Sequence, residues 1–139
     1  MQILGTVTVR AVMQARIVSA PGDMAVGDLS ELIASAPNSE VFIVDENQAL
    51  IGIATMSELP QGPAGKQGLT TADIARPCLT VVAVDDHVAD VVEEMQAEEE
   101  TRLPVVANRK SRQLLGLVRE ADLLRAINRV LLDDRRDER

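Results

Sequence analysis

The stretch Leu114-Leu115-Gly116-Leu117-Val118-Arg119-Glu120-Ala121-Asp122-Leu123-Leu124 constrains this chain more than any other. It is an apolar strand that runs through a glycine straight into a helix whose first turn carries an acid. The same arrangement stands sixty-four positions earlier in Leu50-Ile51-Gly52-Ile53-Ala54-Thr55-Met56-Ser57-Glu58-Leu59, with glycine, acid and following leucine at the same spacing. Upstream, the halves match at an offset of sixty-two, pairing Val12 with Ile74, Val26 with Val88, Asp28 with Asp90, Leu29 with Val91, Ile33 with Met95 and Val44 with Val106. Two extra residues in the turn from Asn108 to Arg112 account for the change of offset. Matches that persist in one order through strand, helix, strand, strand and helix identify a duplicated unit.

Local patterns fill in each copy. Val7-Thr8-Val9 reads as a short strand, Arg10 to Met13 as a helical turn, and Ile17-Val18-Ser19 as extended before a turn at Pro21-Gly22-Asp23. Val26, Leu29, Ile33 and Ala36 recur at helical spacing until Pro37 and Asn38 stop them. Val41-Phe42-Ile43-Val44 is continuously apolar, which fits a strand covered on both faces and an α/β layering. In the second copy, Thr71 can cap a turn over residues 72–75, Leu79 to Val84 is extended, and Asp85-Asp86 open a helix with Val88, Val91, Val92 and Met95 on one face. Strands at Leu103 to Val106 and Leu114 to Val118 precede a last helix that carries Leu123, Ile127, Val130 and Leu131 inward, and the charged end from Asp133 is expected to fray. Pro60, Gly62, Pro63, Gly65 and Gly68 mark a linker. The expected organisation is therefore a first domain over 1–61, a linker over 62–68, a second domain over 69–130 and a charged tail over 131–139.

Composition narrows the function classes. With one Phe and no Tyr or Trp, the core must be filled by aliphatic residues and Met, and base-stacking platforms are absent. A formal charge of −8 repels a phosphate backbone, so polymeric nucleic acid is not an expected partner, although a single nucleotide held locally is compatible with it. The apolar runs fall far short of the roughly 20 residues that span a membrane, and the N-terminus has no signal-type apolar region, so no direct membrane insertion is expected of this segment. The single Cys78 has no intrachain disulfide partner and no zinc-ligand spacing, which fits a reduced, cytoplasmic setting. One His and one Cys assemble no nucleophilic machinery, and the chain reads as a non-enzyme.

The turn at Val9 to Met13, the VFIVD and LPVVA strands and the two glycine-strand-helix endings resemble a tandem cystathionine-β-synthase (CBS) domain pair, or Bateman module, over nearly all of residues 7–130. The resemblance implies an α/β (α+β) fold in which two β-α-β-β-α CBS units pack about a pseudo-twofold axis. It also implies that the clefts between the units hold an adenosine-containing ligand. Ala72-Asp73-Ile74-Ala75-Arg76-Pro77 and the Asp122-Leu123-Leu124 helix start look like the cytosolic tails of CLC chloride channels and transporters, which would make the chain the cytosolic domain of an inner-membrane protein.

By this resemblance Asp122 is the ribose ligand, its carboxylate accepting hydroxyl hydrogen bonds while the helix N-terminus faces a phosphate. The bland alternative is an acid that merely complements the helix dipole. Arg119 stands where the family has Thr or Ser, and it exchanges a hydroxyl for a possible bidentate phosphate contact. The same geometry brings Ile17, Val18 and Val41 to the adenine, and Asn38 and Ser39 to its edge or a phosphate; ordinary loop chemistry is the competing reading for the last two. The opposite cleft would combine Thr55 and Glu58 with Leu79, Glu100 and Thr101, but Thr55-x-x-Glu58 is also a capping box, and this cleft is expected to be the poorer one. Asp85, Asp86, His87 and Asp90 invite a metal reading, yet a capped helix start explains them, and no metal site is assigned.

These readings make the chain a regulatory ligand-sensing module for AMP, ADP or ATP, with no required cofactor. It is expected to be a homodimer and to modulate an attached or partner protein, such as a chloride channel or transporter. The alternatives are a structural dimerisation module without ligand and a divalent-cation (Mg²⁺) sensor.

Overall fold

A computed structural model describes residues 7–62 and 68–137, with side chains as far as residue 133. The part of the expected linker at 63–67 and the last two residues of the charged tail lie outside the described residues. The fold is α+β, with two three-stranded sheets and four helices among the described residues. It divides into two compact units, one of residues 16–79 and 112–114, the other of residues 7–15, 80–111 and 115–137.

The first-repeat unit contains β1 (Ser19–Pro21), α1 (Val26–Ser35), β2 (Val41–Val44), β3 (Leu50–Ala54) and α2 (Thr71–Ile74). Its strands lie in the order β1-β2-β3, with β1 parallel and β3 antiparallel to β2. All four residues of β2 are buried, as a continuous apolar run requires. Val41, Ile43 and Ala54 meet Leu29 and Ile33 of α1 in one core, with Ile74 and Ala75 packed against it.

The second-repeat unit contains β4 (Val82–Ala83), α3 (Val88–Glu98), β5 (Arg102–Val106), β6 (Leu114–Arg119) and α4 (Glu120–Asp137), with strand order β4-β5-β6 and β4 parallel to β5. Val88, Val91, Val92 and Met95 of α3 pack with Val105, Val118 and Leu123, and Val9 enters the same core.

The segment that leads into each repeat belongs to the other repeat's unit. The carbonyl of Val7 accepts from Val88 N at 2.9 Å, and the carbonyl of Leu69 accepts from Val26 N at 3.1 Å. Thr8 bridges to His87, and Thr70 to Ala25. Gln14 pairs with Leu117 through two 2.8 Å hydrogen bonds, and Arg76 pairs with Ile53 at 2.8 and 2.9 Å. Each correspondence keeps the offset of the sequence repeat. The lead-in segments thus take up N–H groups that a helix start leaves without an intrahelical partner, a task otherwise left to side-chain caps.

This arrangement corrects several local expectations. Thr8 forms only an isolated bridge and Val9–Ala11 a 3-10 turn, so the early strand is absent, because the lead-in makes single bridges and no ladder. Asp85 and Asp86 do not cap α3, which begins at Val88 with no side-chain cap. Asp86 instead accepts from Ala83 N at 3.0 Å and from both terminal nitrogens of Arg109, at 3.1 and 2.6 Å. Thr70, and not Thr71, stands at the cap of α2, with Thr70 N and Oγ1 donating to Asp73 at 2.8 and 3.0 Å. Thr71 is fully buried and donates its hydroxyl to the Pro21 carbonyl at 2.6 Å. The helix expected after Thr55 is only a 3-10 turn, Met56–Glu58, since Pro60 blocks its continuation. Conversely, α4 runs on to Asp137 without fraying at Asp133, as no Gly or Pro interrupts it. Leu131, expected inside, is 48% exposed.

Candidate functional site

Strand β6 passes into α4 without an intervening loop, which puts Arg119 at the last strand position and Asp122 in the first helical turn. Asp122 lies mostly under its neighbours, its side chain 11% exposed. Arg119, three residues before it, grips it with both arms of the guanidinium: Nε donates to Oδ2 at 2.9 Å and Nη2 to Oδ1 at 3.1 Å. Arg125 Nη1, one turn further, donates to Oδ1 at 3.0 Å. The fourth donor comes from the lead-in segment, where Gln14 Nε2 donates to Oδ2 at 3.2 Å across 108 positions of sequence.

Gln14 can reach because its backbone is fastened to Leu117. Gly116 makes that fastening possible. A Cβ on Gly116 would collide with the Gln14 carbonyl oxygen and stand 3.1 Å from its carbonyl carbon. The repeat preserves the relation in the other unit, where a Cβ on Gly52 would stand 2.5 Å from the Arg76 carbonyl oxygen.

Two donors on each oxygen fill the roughly four lone-pair positions of a carboxylate. The hydrogen bonds from Arg119 are the main cause that holds the Asp122 carboxyl below its ordinary pKa; burial opposes them, while the charges of Arg119 and Arg125 and the Gln14 amide assist. Beside this cluster opens a cavity of about 210 Å³ lined by Val12, Gln14, Asp122, Arg125, Ala126 and Arg129. Arg125 and Arg129 against one Asp122, itself neutralised by Arg119, make the cavity locally cationic in a chain whose net charge is −8. Such a site attracts an anion.

The structure therefore brings together Asp122 and Arg119 of the sequence reading and adds Gln14, Arg125 and Arg129. Arg125 and Arg129, three and seven positions after Asp122, lie on its helical face, and this spacing could have signalled them. Nothing in the sequence signalled Gln14. Ile17, Val18, Asn38, Ser39 and Val41 belong to the first-repeat unit. There Ile17 and Val18 are half-buried before β1, Asn38 and Ser39 adopt left-handed conformations with φ of 58° and 53°, and Val41 is fully buried in the core.

In the first repeat, the position equivalent to Asp122 is Glu58. Its Oε1 accepts from Thr55 N and Thr55 Oγ1, both at 2.7 Å, and Oε2 lies 3.8 Å from Arg76 Nε. This is the capping box the spacing predicts. Among the described residues no cluster of His, Cys, Asp or Glu has the arrangement of a metal site, and no helix is long and apolar enough to cross a membrane.

The family model of the CBS domain matches the chain twice, at residues 9–59 and 72–129. The CBS domains of a transcriptional regulator from Streptococcus pneumoniae share the fold at 22% identity and a TM-score of 0.68, over 86% of this chain and 98% of that one. The cytosolic domain of the Mg²⁺ channel MgtE, solved in complex with ATP, matches at 24% identity and a TM-score of 0.65 over 83% of this chain, which spans only 46% of it. CBSX2, a CBS-pair protein of Arabidopsis thaliana solved in complex with AMP, matches at 21% identity and a TM-score of 0.67, over 88% of this chain and 97% of that one. No functionally curated protein matches the chain.

Proposed function

Since the chain belongs to the CBS domain family and carries that domain twice, we propose that it is a non-catalytic regulatory module whose cavity at Asp122 takes an adenine nucleotide. Occupancy then biases the state of an attached or partner protein. The observation that carries this reading is the cluster itself: a largely buried carboxylate suited to ribose hydroxyls, set among arginines suited to phosphate. The ATP and AMP in two structures of the same fold support the choice of ligand.

Every acceptor position of Asp122 is occupied, so binding is an exchange. Arg125, whose side chain is 65% exposed, is the partner that turns most easily from Oδ1 to a phosphate, and the freed position accepts a ribose hydroxyl. Arg119 keeps its two-point grip and holds the carboxylate in place.

The cytosolic domain of a Mg²⁺ channel among the similar structures supports a membrane transport protein as the regulated partner, with this module on its cytosolic side. The likeness of residues 72–77 and of the α4 start to chloride-transporter tails points to the same class. Exposed Leu124, Leu131 and Leu132 on α4 support self-association as a homodimer.

Thermal denaturation with AMP, ADP, ATP and Mg²⁺ added separately tests the function. A nucleotide-dependent rise in melting temperature is expected. A rise with Mg²⁺ alone would favour the cation sensor, and no rise with any addition would favour a structural dimerisation module.

A further inference from the structure

We propose that Arg125 and Arg129 form a polyphosphate subsite, so that the cavity ranks nucleotides by phosphate number and binds ATP and ADP more tightly than AMP. This inference rests on the nucleotide reading above and deepens it.

Arg125 and Arg129 stand one turn apart on α4 and line the same cavity, leading away from Asp122 along the helix. Residues spaced i, i+4 have Cβ atoms about 5–6 Å apart, so two guanidiniums there can act on one chain of phosphates. Like charges at this spacing repel each other, and the cavity offsets them unevenly. Asp122 compensates Arg125 at 3.0 Å, but Arg129 has no ion pair among the described residues. An anion reaching Arg129 would offset this cationic excess among the groups that line the cavity.

The order of groups along the cavity also matches the ligand. Asp122 lies at the helix start, beside Arg119, and is where the ribose is anchored. Arg125 comes next and Arg129 lies furthest from the carboxylate, so each added phosphate extends towards a further guanidinium. AMP, with one phosphate, engages Arg125 and leaves Arg129 idle. Planar guanidinium forks grip phosphate oxygens in two-point fashion, which makes the second arginine selective for length and not merely for charge.

Titration calorimetry of the full chain with AMP, ADP and ATP, on the parent and on Arg129→Gln, tests the subsite. Arg129 is exposed, so the variant should fold as the parent does, and its melting temperature checks this. Binding at least tenfold tighter for ATP than for AMP is expected in the parent. Arg129→Gln should weaken ATP roughly tenfold, weaken AMP by no more than about twofold through the lost charge, and so bring the two nucleotides close together. Tripolyphosphate should compete with ATP in the parent and lose that ability in the variant. Equal affinities for AMP and ATP, or an ATP affinity untouched by Arg129→Gln, would overturn the subsite while leaving the nucleotide reading intact. Absence of binding by all three nucleotides would overturn both.

Discussion

Gly52 lies so close under the Arg76 carbonyl that a Cβ on it would stand 2.5 Å from that oxygen, and Gly116 stands in the same relation to Gln14. In both units the glycine is the point at which the lead-in segment closes onto the strand, and in the second-repeat unit the closure also delivers Gln14 to Asp122.

Substitution at these glycines should therefore destabilise the fold. The obstacle is backbone and cannot swing aside, so Gly52→Ala or Gly116→Ala should cost about 1–3 kcal/mol, or roughly 4 °C in melting temperature for each kcal/mol. Gly27, inside α1, has nothing within 4 Å of the place a Cβ would take, and Gly27→Ala should instead be neutral or stabilise by up to ~1 kcal/mol. Thermal melts of the three variants decide the matter, and equal behaviour of all three would refute the close approach.

Acid should expose the carboxylate clamps. The Arg109 guanidinium holds the Asp86 carboxyl below its ordinary pKa, and Arg119 does the same for Asp122. A carboxylate whose folded pKa is depressed stabilises the fold above its unfolded pKa, about 3.9 for Asp, and that stability is lost as pH falls through the folded value. Denaturant melts should show stability declining below about pH 4. Asp86→Asn should be less stable at neutral pH and show a shallower acid decline. An unchanged decline would mean that the Asp86 pair contributes nothing in solution.

Glu58→Ala should separate stability from binding. Glu58 serves the Thr55 cap, so its loss should cost about 1 kcal/mol, within the range for a lost cap. Nucleotide affinity should stay within about twofold of the parent, a change of under 0.5 kcal/mol. Chemical denaturation and calorimetry on one preparation give both numbers.

Self-association should depend on α4. Leu131 and Leu132, 48% and 54% exposed, present apolar surface that a partner copy would cover. Sedimentation at tens of micromolar, an order-of-magnitude choice for a standard interface, should show a dimer. Leu131→Glu should shift it towards monomer, and a parent that sediments as a clean monomer would rule out the homodimer.

Most of the fold was legible because the signals are local and periodic. The apolar faces of Val26, Leu29 and Ile33 and of Val88, Val91 and Met95 are all buried in the helices their spacing predicts. Repeated spacing exposed the duplication and the equivalence of Gly52 and Gly116, whose close approach to backbone only the fold shows. The contributions of the lead-in segments were not legible, since a single bridge such as that between Thr8 and His87 leaves no periodicity in the sequence. Asp86 was misread for the same reason: an acid before a helix resembles a cap, and only the fold shows that Arg109 claims it. At the site, spacing alone marks Asp122 and Arg119 as neighbours, but the bond from Gln14 depends on tertiary closure.

If Asp122 organises a nucleotide site, calorimetric titration of ATP into the parent, Asp122→Ala and Glu58→Ala must register it. Asp122 both accepts from the ribose and holds Arg119 and Arg125, and hydrogen bonds to a charged group contribute about 1.5–3 kcal/mol each. The expected outcome is saturable binding to the parent, at least tenfold weaker binding to Asp122→Ala, and unchanged affinity in Glu58→Ala. No binding to the parent, or equal losses in the two variants, would remove Asp122 from that role.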